Sequence, residues 1–272
     1  MHNTHISFIG RAANYSPNSV EKDTAILVAV RERLMAMGYT CADIISEEAG
    51  WQLEAADAYV SMGRRPAVVD ALHGQPCPVV NEPRAVMLCR NRVELMLALE
   101  RQGLPVPFAM GSDGYWVKRG DDYAATPLDV QFAADDVAAR RLCDEMRQRG
   151  VCSVDVRAHV VGDLVKFYGV RGTGFFRCYY PGDDGNWKFG DEQRNGRPHH
   201  YPFDTPSLHD MMDRAAALTS LDVYGGDCIV RPDGSFVLID LNDWPSFSRC
   251  REEAAKAIAD RIRQRVNESG KP

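Results

Sequence analysis

The chain has 272 residues, of which 45% are hydrophobic, 26% charged and 9% aromatic. This composition excludes a largely disordered or fibrous chain and fits two compact units or one large α/β assembly. A net charge of −6 argues against a broad nucleic-acid surface, and no apolar run reaches the roughly 18–20 residues that span a bilayer.

The N-terminus lacks a basic segment followed by an apolar one, so no secretory signal is expected. The eight cysteines include no CxxC pair, so a structural zinc site is not expected. They are read as reduced residues of a cytoplasmic protein.

The first third alternates strand and helix. Ile6, Ser7, Phe8 and Ile9 form a short strand that stops at Gly10. A polar loop follows, with Asn14, Tyr15, Ser16 and Asn18 as candidates to grip a ligand, because ligands bind at the ends of strands in open α/β sheets. Ser19 then caps a helix that carries Glu21 and Asp23 in its first turn and ends at Gly38. Further strands are predicted at 40–45, 57–62 and 78–80. Such alternation implies right-handed crossovers and a parallel sheet over residues 1–85.

A helix is predicted at 91–103, a strand at 115–118 and a helix at 137–149. After Gly150 the pattern becomes an antiparallel meander over 155–161, 164–170 and 175–180, with turns at Gly162-Asp163 and Arg171-Gly172-Thr173-Gly174. Residues 181–206 are polar and too long for an idle connection. A helix at 207–219, a hairpin over 225–241 and a terminal helix at 252–266 complete the chain.

The hairpin carries the strongest chemical signal. Asp227 lies on its first strand, and Asp240 and Asn242 lie on its second. Residues two apart on a strand share a face. Three oxygen side chains on one face of an apolar stretch call for a cation, and hard oxygen ligands suit Mg²⁺ held partly by phosphates. Lys166 interrupts an otherwise apolar strand, so it either reaches solvent or points into a cleft. Lys188, Arg194, Arg197, His199 and His200 form a local basic cluster in a net acidic chain, which points to an anionic ligand; a solvated loop is the plain alternative.

The run Gly226-Asp227-Cys228-Ile229-Val230, then Asp233-Gly234, then Ile239-Asp240-Leu241-Asn242-Asp243-Trp244-Pro245 resembles the metal-binding end of the ATP-grasp superfamily. Asn91-Arg92 before a helix ending Gly103-Leu104-Pro105-Val106-Pro107 resembles the segment that opens an ATP-grasp domain, where Lys often replaces Arg92. Trp116-Val117-Lys118 resembles the strand whose lysine reaches nucleotide phosphates. The order and spacing of these motifs cover most of the chain. Where the family often has a glycine-rich lid, Arg119-Gly120-Asp121-Asp122-Tyr123 is short and acidic.

The resemblance implies a small parallel αβ domain over 1–85, an ATP-grasp first lobe over 86–150, and a second lobe with the metal site over 151–272, its sheets antiparallel. It implies ATP and Mg²⁺ as cofactors, with Asp227, Asp240 and Asn242 on the metal and Arg92 and Lys118 on the phosphates. The adenine would rest on backbone around His159 and Val160, with Lys166 and Arg177 facing a small anionic acceptor and Arg171 as the rival to Arg177. The implied chemistry is activation of an acceptor carboxylate as an acylphosphate for attack by an amine or thiol. A small-molecule kinase similar to inositol phosphate kinases is the alternative, and a non-catalytic nucleotide-binding module is a third reading. Neither a nucleic acid nor a membrane is expected as a partner.

Overall fold

The computed structural model describes residues 4–16, 19–48, 51–184 and 194–270. Asn18 and Lys188 lie outside them. The N-terminal unit comprises β1 (His5–Gly10), α1 (Val20–Ala36), β2 (Thr40–Ser46), β3 (Ala58–Ser61), α2 (Pro66–Leu72) and β4 (Val79–Val80). Its strands are all parallel, in the order β2-β1-β3-β4. Ser19 is the N-cap of α1, but its side chain makes no capping bond and lines a cleft instead.

Two short helices follow, α3 (Pro83–Arg90) and α4 (Arg92–Arg101). Asn91 separates them and caps α4 by accepting the Glu94 N–H. The first lobe then forms from β5 (Tyr115–Arg119), β6 (Val130–Ala133), α5 (Asp136–Gln148) and β7 (Val154–Ala158). Its sheet order is β6-β5-β7, antiparallel throughout. Tyr115 and Val117 pack on Leu142 and Met146 of α5, so the alternate residues Trp116 and Lys118 face the other way.

The second lobe contains β8 (Asp163–Val170), β9 (Phe175–Tyr179), α6 (Pro181–Asp184), α7 (Thr205–Thr219), β10 (Val223–Val230) and β11 (Phe236–Asp243), with strand order β11-β10-β8-β9. Val165 and Phe167 of β8 are buried with Met212 and Ala216 of α7, leaving Leu164, Lys166 and Tyr168 on the opposite face.

The structure corrects one feature of the meander. β7 does not hairpin with β8; it pairs with β5, with Val156 opposite Val117. The seam between the lobes therefore falls after Ala158 rather than near Gly150. Local turn residues mark where a strand ends, and they do not say which sheet it joins.

The last helix, α8 (Arg251–Ser269), returns to the N-terminal unit. Ile258 and Ile262 share one core with Ile26, Val30 and Leu34 of α1 and with Trp244 and Phe247 of the segment after β11. That shared core locks the N-terminal unit onto the end of β11. Among the described residues, no helix is long and apolar enough to cross a membrane.

Candidate active site

A cavity of about 480 Å³ lies where the three sheets converge, within the usual range for small-molecule sites. Its floor is the open face of the second-lobe sheet. In register across β8, β10 and β11 lie Lys166, Asp227 and Asp240. The next row is Tyr168, Gly225 and Asn242. The row on the other side is apolar, with Leu164 opposite Ile229. Strand alternation thus presents a greasy strip, a charged strip and a polar strip side by side.

Charge pairing organises the middle strip. Lys166 Nζ lies 3.0 Å from Asp227 Oδ1. Arg92, the first residue of α4, places Nη1 and Nη2 at 2.8 and 3.4 Å from the two Asp240 oxygens. Lys118 reaches from β5 and donates to the Ile239 carbonyl at 3.3 Å. Both cations thereby bridge the lobes. Burial would raise the Asp240 pKa, but Arg92 and Lys118 outweigh it and hold the carboxyl well below its usual range. Burial and the adjacent Arg92 charge push the Lys118 ammonium below its ordinary value, while Asp240 and Asp155 partly offset this.

Asp227, Asp240 and Asn242 all line the cavity, and Asn242 hydrogen-bonds Asp240. Two carboxylates and an amide are hard oxygen donors and suit Mg²⁺. Among the described residues, no group of three or more His, Cys, Asp or Glu forms a metal cage. Three oxygen donors would leave a six-coordinate Mg²⁺ positions for phosphate and water.

The remaining sequence candidates divide. Val160 lines the cavity beside Ala158 and Leu164, and its carbonyl accepts from Asn195 Nδ2 at 3.1 Å. His159 is not among the lining residues; its ring accepts the Trp116 indole N–H at 3.0 Å and packs on Phe132. Its backbone N–H is committed to the Gly114 carbonyl.

Arg177 is corrected. It shares a face with Lys166, because Tyr168 opposes Arg177 and Lys166 opposes Tyr179. However, β9 is the edge strand against α8, and Arg177 pairs there with Glu253 outside the cavity. Arg171 is also elsewhere. With Arg261 and Arg265 it surrounds the fully buried Asp222, at 2.8, 2.7 and 3.1 Å. Arg194 lines the cavity with its guanidinium 3.9 Å from the Phe132 ring centre. His199 and His200 pair with Asp163 and Asp183 and are not among the lining residues.

On the wall contributed by the N-terminal unit, the sequence candidates Asn14, Tyr15 and Ser16 line the cavity, and sequence reasoning missed its charged groups. Arg11 and Arg64 follow the ends of β1 and β3 and both line the cavity. Glu47, 1% exposed, follows β2 and accepts the backbone N–H groups of Ala12, Arg64 and Arg65 at 2.8, 2.6 and 2.6 Å. It stitches together the loops after three parallel strands. Arg11 donates to Asp23 at 3.1 Å and to the Trp244 carbonyl at 3.0 Å. Arg64 grips Asp243 at 2.7 and 3.3 Å and stacks on Tyr123, whose hydroxyl donates to the same carboxylate at 3.2 Å. Tyr123 ends the short acidic segment after β5. That segment is pinned by Arg119–Asp121 at 2.7 Å and Arg90–Asp122 at 3.1 Å. The available sequence signal was the position of the loop after β1, at the strand ends where ligands bind in open α/β sheets.

No protein-family model matches the chain, and no curated protein matches it by sequence. Its three-dimensional arrangement is nevertheless shared with solved structures. The D-alanine-D-alanine ligase from Coxiella burnetii aligns with a TM-score of 0.66 at 12% identity, over 98% of this chain and 96% of that one. VanG D-Ala:D-Ser ligase from Enterococcus faecalis gives 0.67 at 11% identity, over 97% and 100%. A RimK-domain ATP-grasp protein from Sphaerobacter thermophilus gives 0.63 at 15% identity, over 95% and 99%. The chain has the ATP-grasp fold, with a parallel αβ unit ahead of two antiparallel lobes.

Proposed function

We propose that this protein is an ATP-dependent ligase that activates an acceptor carboxylate as an acylphosphate and passes the acyl group to an amine or thiol. The observation that carries this reading is the in-register row Lys166–Asp227–Asp240 facing Arg92 and Lys118 from the other side of one cavity. That the solved structures sharing the fold include D-alanine-D-alanine and D-Ala:D-Ser ligases adds support.

The adenine fits the apolar strip of Val160, Leu164, Ile229 and Ile239. Arg92 and Lys118 hold the phosphates from the first-lobe side. Asp227, Asp240 and Asn242 would hold Mg²⁺, which supplies charge neutralisation at the phosphate oxygens. An acceptor carboxylate oxygen attacks the γ-phosphorus, the bond to the β,γ-bridging oxygen breaks, and ADP leaves. The amine or thiol then attacks the acyl carbon, inorganic phosphate departs, and the nucleophile's proton passes to solvent. Lys166 and Lys118 act as fixed positive charges around the transferring group, and such preorganised charge is the main source of catalysis in phosphoryl transfer.

The test is ATP turnover against pools of amino acids and sugar phosphates, with hydroxylamine present in a parallel set. ADP, free phosphate, a condensed product and a hydroxamate would support the ligase. A stable phosphorylated acceptor would replace it with the kinase reading, which the cavity-lining Arg194 favours. Absence of ATP binding would overturn both.

A further inference from the structure

We infer that Arg64 is the group that recognises an anionic moiety, carboxylate or phosphate, on the acceptor substrate. This inference rests on the reading of the cavity as an ATP-dependent active site and assigns its second substrate a docking point.

The geometry of the guanidinium is specific. Nε and Nη2 both face Asp243, at 3.3 and 2.7 Å from its two oxygens, and Nη2 also donates to the Asp243 carbonyl at 3.3 Å. One edge of the fork is therefore saturated. Nη1 has no hydrogen-bond partner among the described residues, although the side chain is only 9% exposed and lines the cavity. Nη1 is not among the fully buried unpaired atoms, so it is the corner of the fork open to the cavity and able to meet a ligand acceptor. Tyr123 covers one face of the same guanidinium, with the Cζ atom 3.6 Å from its ring centre, so the plane cannot swing away.

The surroundings favour an anion. Arg11 lies beside Arg64, close enough that burial and the Arg64 charge together depress its pKa despite Asp243 and Asp23 nearby. The position is also over-determined from behind. Glu47 accepts the Arg64 backbone N–H, and Gly63 before it sits where a Cβ would meet Val68 and Glu47. A guanidinium fixed in its plane, with one donor corner free, is preorganised for carboxylate or phosphate oxygens. Ser16, Ser19 and Asn14 line the same wall and supply polar neighbours for the rest of the acceptor.

The experiment is an anion titration with AMP-PNP and Mg²⁺ saturating, so that the γ-phosphate position is already filled. Succinate and inorganic phosphate are the probes, and the readout is the side-chain ¹⁵N resonance of Arg64 in the wild-type protein. We expect one of the two anions to shift that resonance saturably. A response to succinate assigns a carboxylate acceptor, and a response to phosphate assigns a phosphorylated one. In Arg64→Lys, which keeps the charge opposite Asp243 but loses the planar fork, anion affinity should fall about tenfold while AMP-PNP affinity stays within twofold. An unmoved Arg64 resonance, or equal anion affinity in the variant, overturns the inference; the wild-type arm decides even if the variant misfolds. Failure of AMP-PNP to bind would sink the nucleotide reading separately, and the same titration without nucleotide would still decide Arg64.

Discussion

Arg64 and Asp243 are 179 residues apart and form a two-point ion pair, at 2.7 and 3.3 Å, in which Asp243 has no measurable exposure of its side chain. The pair joins the N-terminal unit to the strand that carries Asp240 and Asn242. A displacement of either half is therefore felt at the strip of Asp240 and Asn242.

Breaking this pair should be costly. Asp243→Asn leaves Arg64 and Arg11 without their shared counter-charge in a buried setting, and the expected loss is about 3–5 kcal/mol. Urea unfolding of wild type and variant measures it. A loss under 1 kcal/mol would show that the two arginines find other partners or water.

The same carboxylate predicts acid sensitivity. Burial would raise the Asp243 pKa, but Arg64 and Arg11 prevail and hold it below its ordinary value. Its contribution is fully present above the unfolded pKa of about 3.9 and is lost as pH falls through the lower folded value. Stability should therefore decline below about pH 4, more steeply in wild type than in Asp243→Asn. Parallel slopes would refute the linkage.

Asp240→Asn should cut Mg-dependent turnover by on the order of 10³-fold and weaken nucleotide binding far less, because the loss falls on the transition-state charge. Arg92 loses its counter-charge in this variant, so its fold must be checked by circular dichroism. Near wild-type turnover would remove Asp240 from the metal set.

Lys118 gives a signed pH dependence. Its ammonium is held below the usual lysine value by burial and then by Arg92. Nucleotide affinity should begin to fall on the alkaline side before pH reaches about 10.4, as the proton leaves. Lys118→Arg should lose that limb, since guanidinium stays charged. Titration of AMP-PNP affinity from neutral to alkaline pH checks this, and identical profiles would exclude Lys118 from the phosphate site.

Arg177→Ala tests the corrected placement. Its partner Glu253 is exposed, and such surface pairs contribute roughly 0–1 kcal/mol. Turnover should stay within twofold of wild type in a steady-state assay. A large fall would return Arg177 to the acceptor site.

The strip of Asp240 and Asn242 was legible in the sequence because it is local. Two-residue alternation places Asp240 and Asn242 on one face whatever the rest of the chain does, but the register that the turn sets, Cys228 opposite Leu238, would put Asp227 opposite Ile239, and a one-residue irregularity in the ladder brings it opposite Asp240. The strand pattern also marked Lys166 as a charged residue in an apolar run, while Lys118 was reached only through the family resemblance of Trp116-Val117-Lys118. Arg177 shows the limit of that logic. Alternation gives its face correctly, but strand order puts β9 at the edge against α8, and lateral position decides what a side chain meets. The wall of Arg11, Glu47, Arg64 and Asp243 was invisible for a stronger reason. These residues end four different strands or the loops after them, and no periodicity links them. They meet because parallel strands deliver their C-terminal loops to one edge, and because α8 buries Ile258 and Ile262 against α1 and presses that edge onto the end of β11. Short-range pattern set the chemistry of each strip, while long-range burial of apolar surface decided which strips share a cavity.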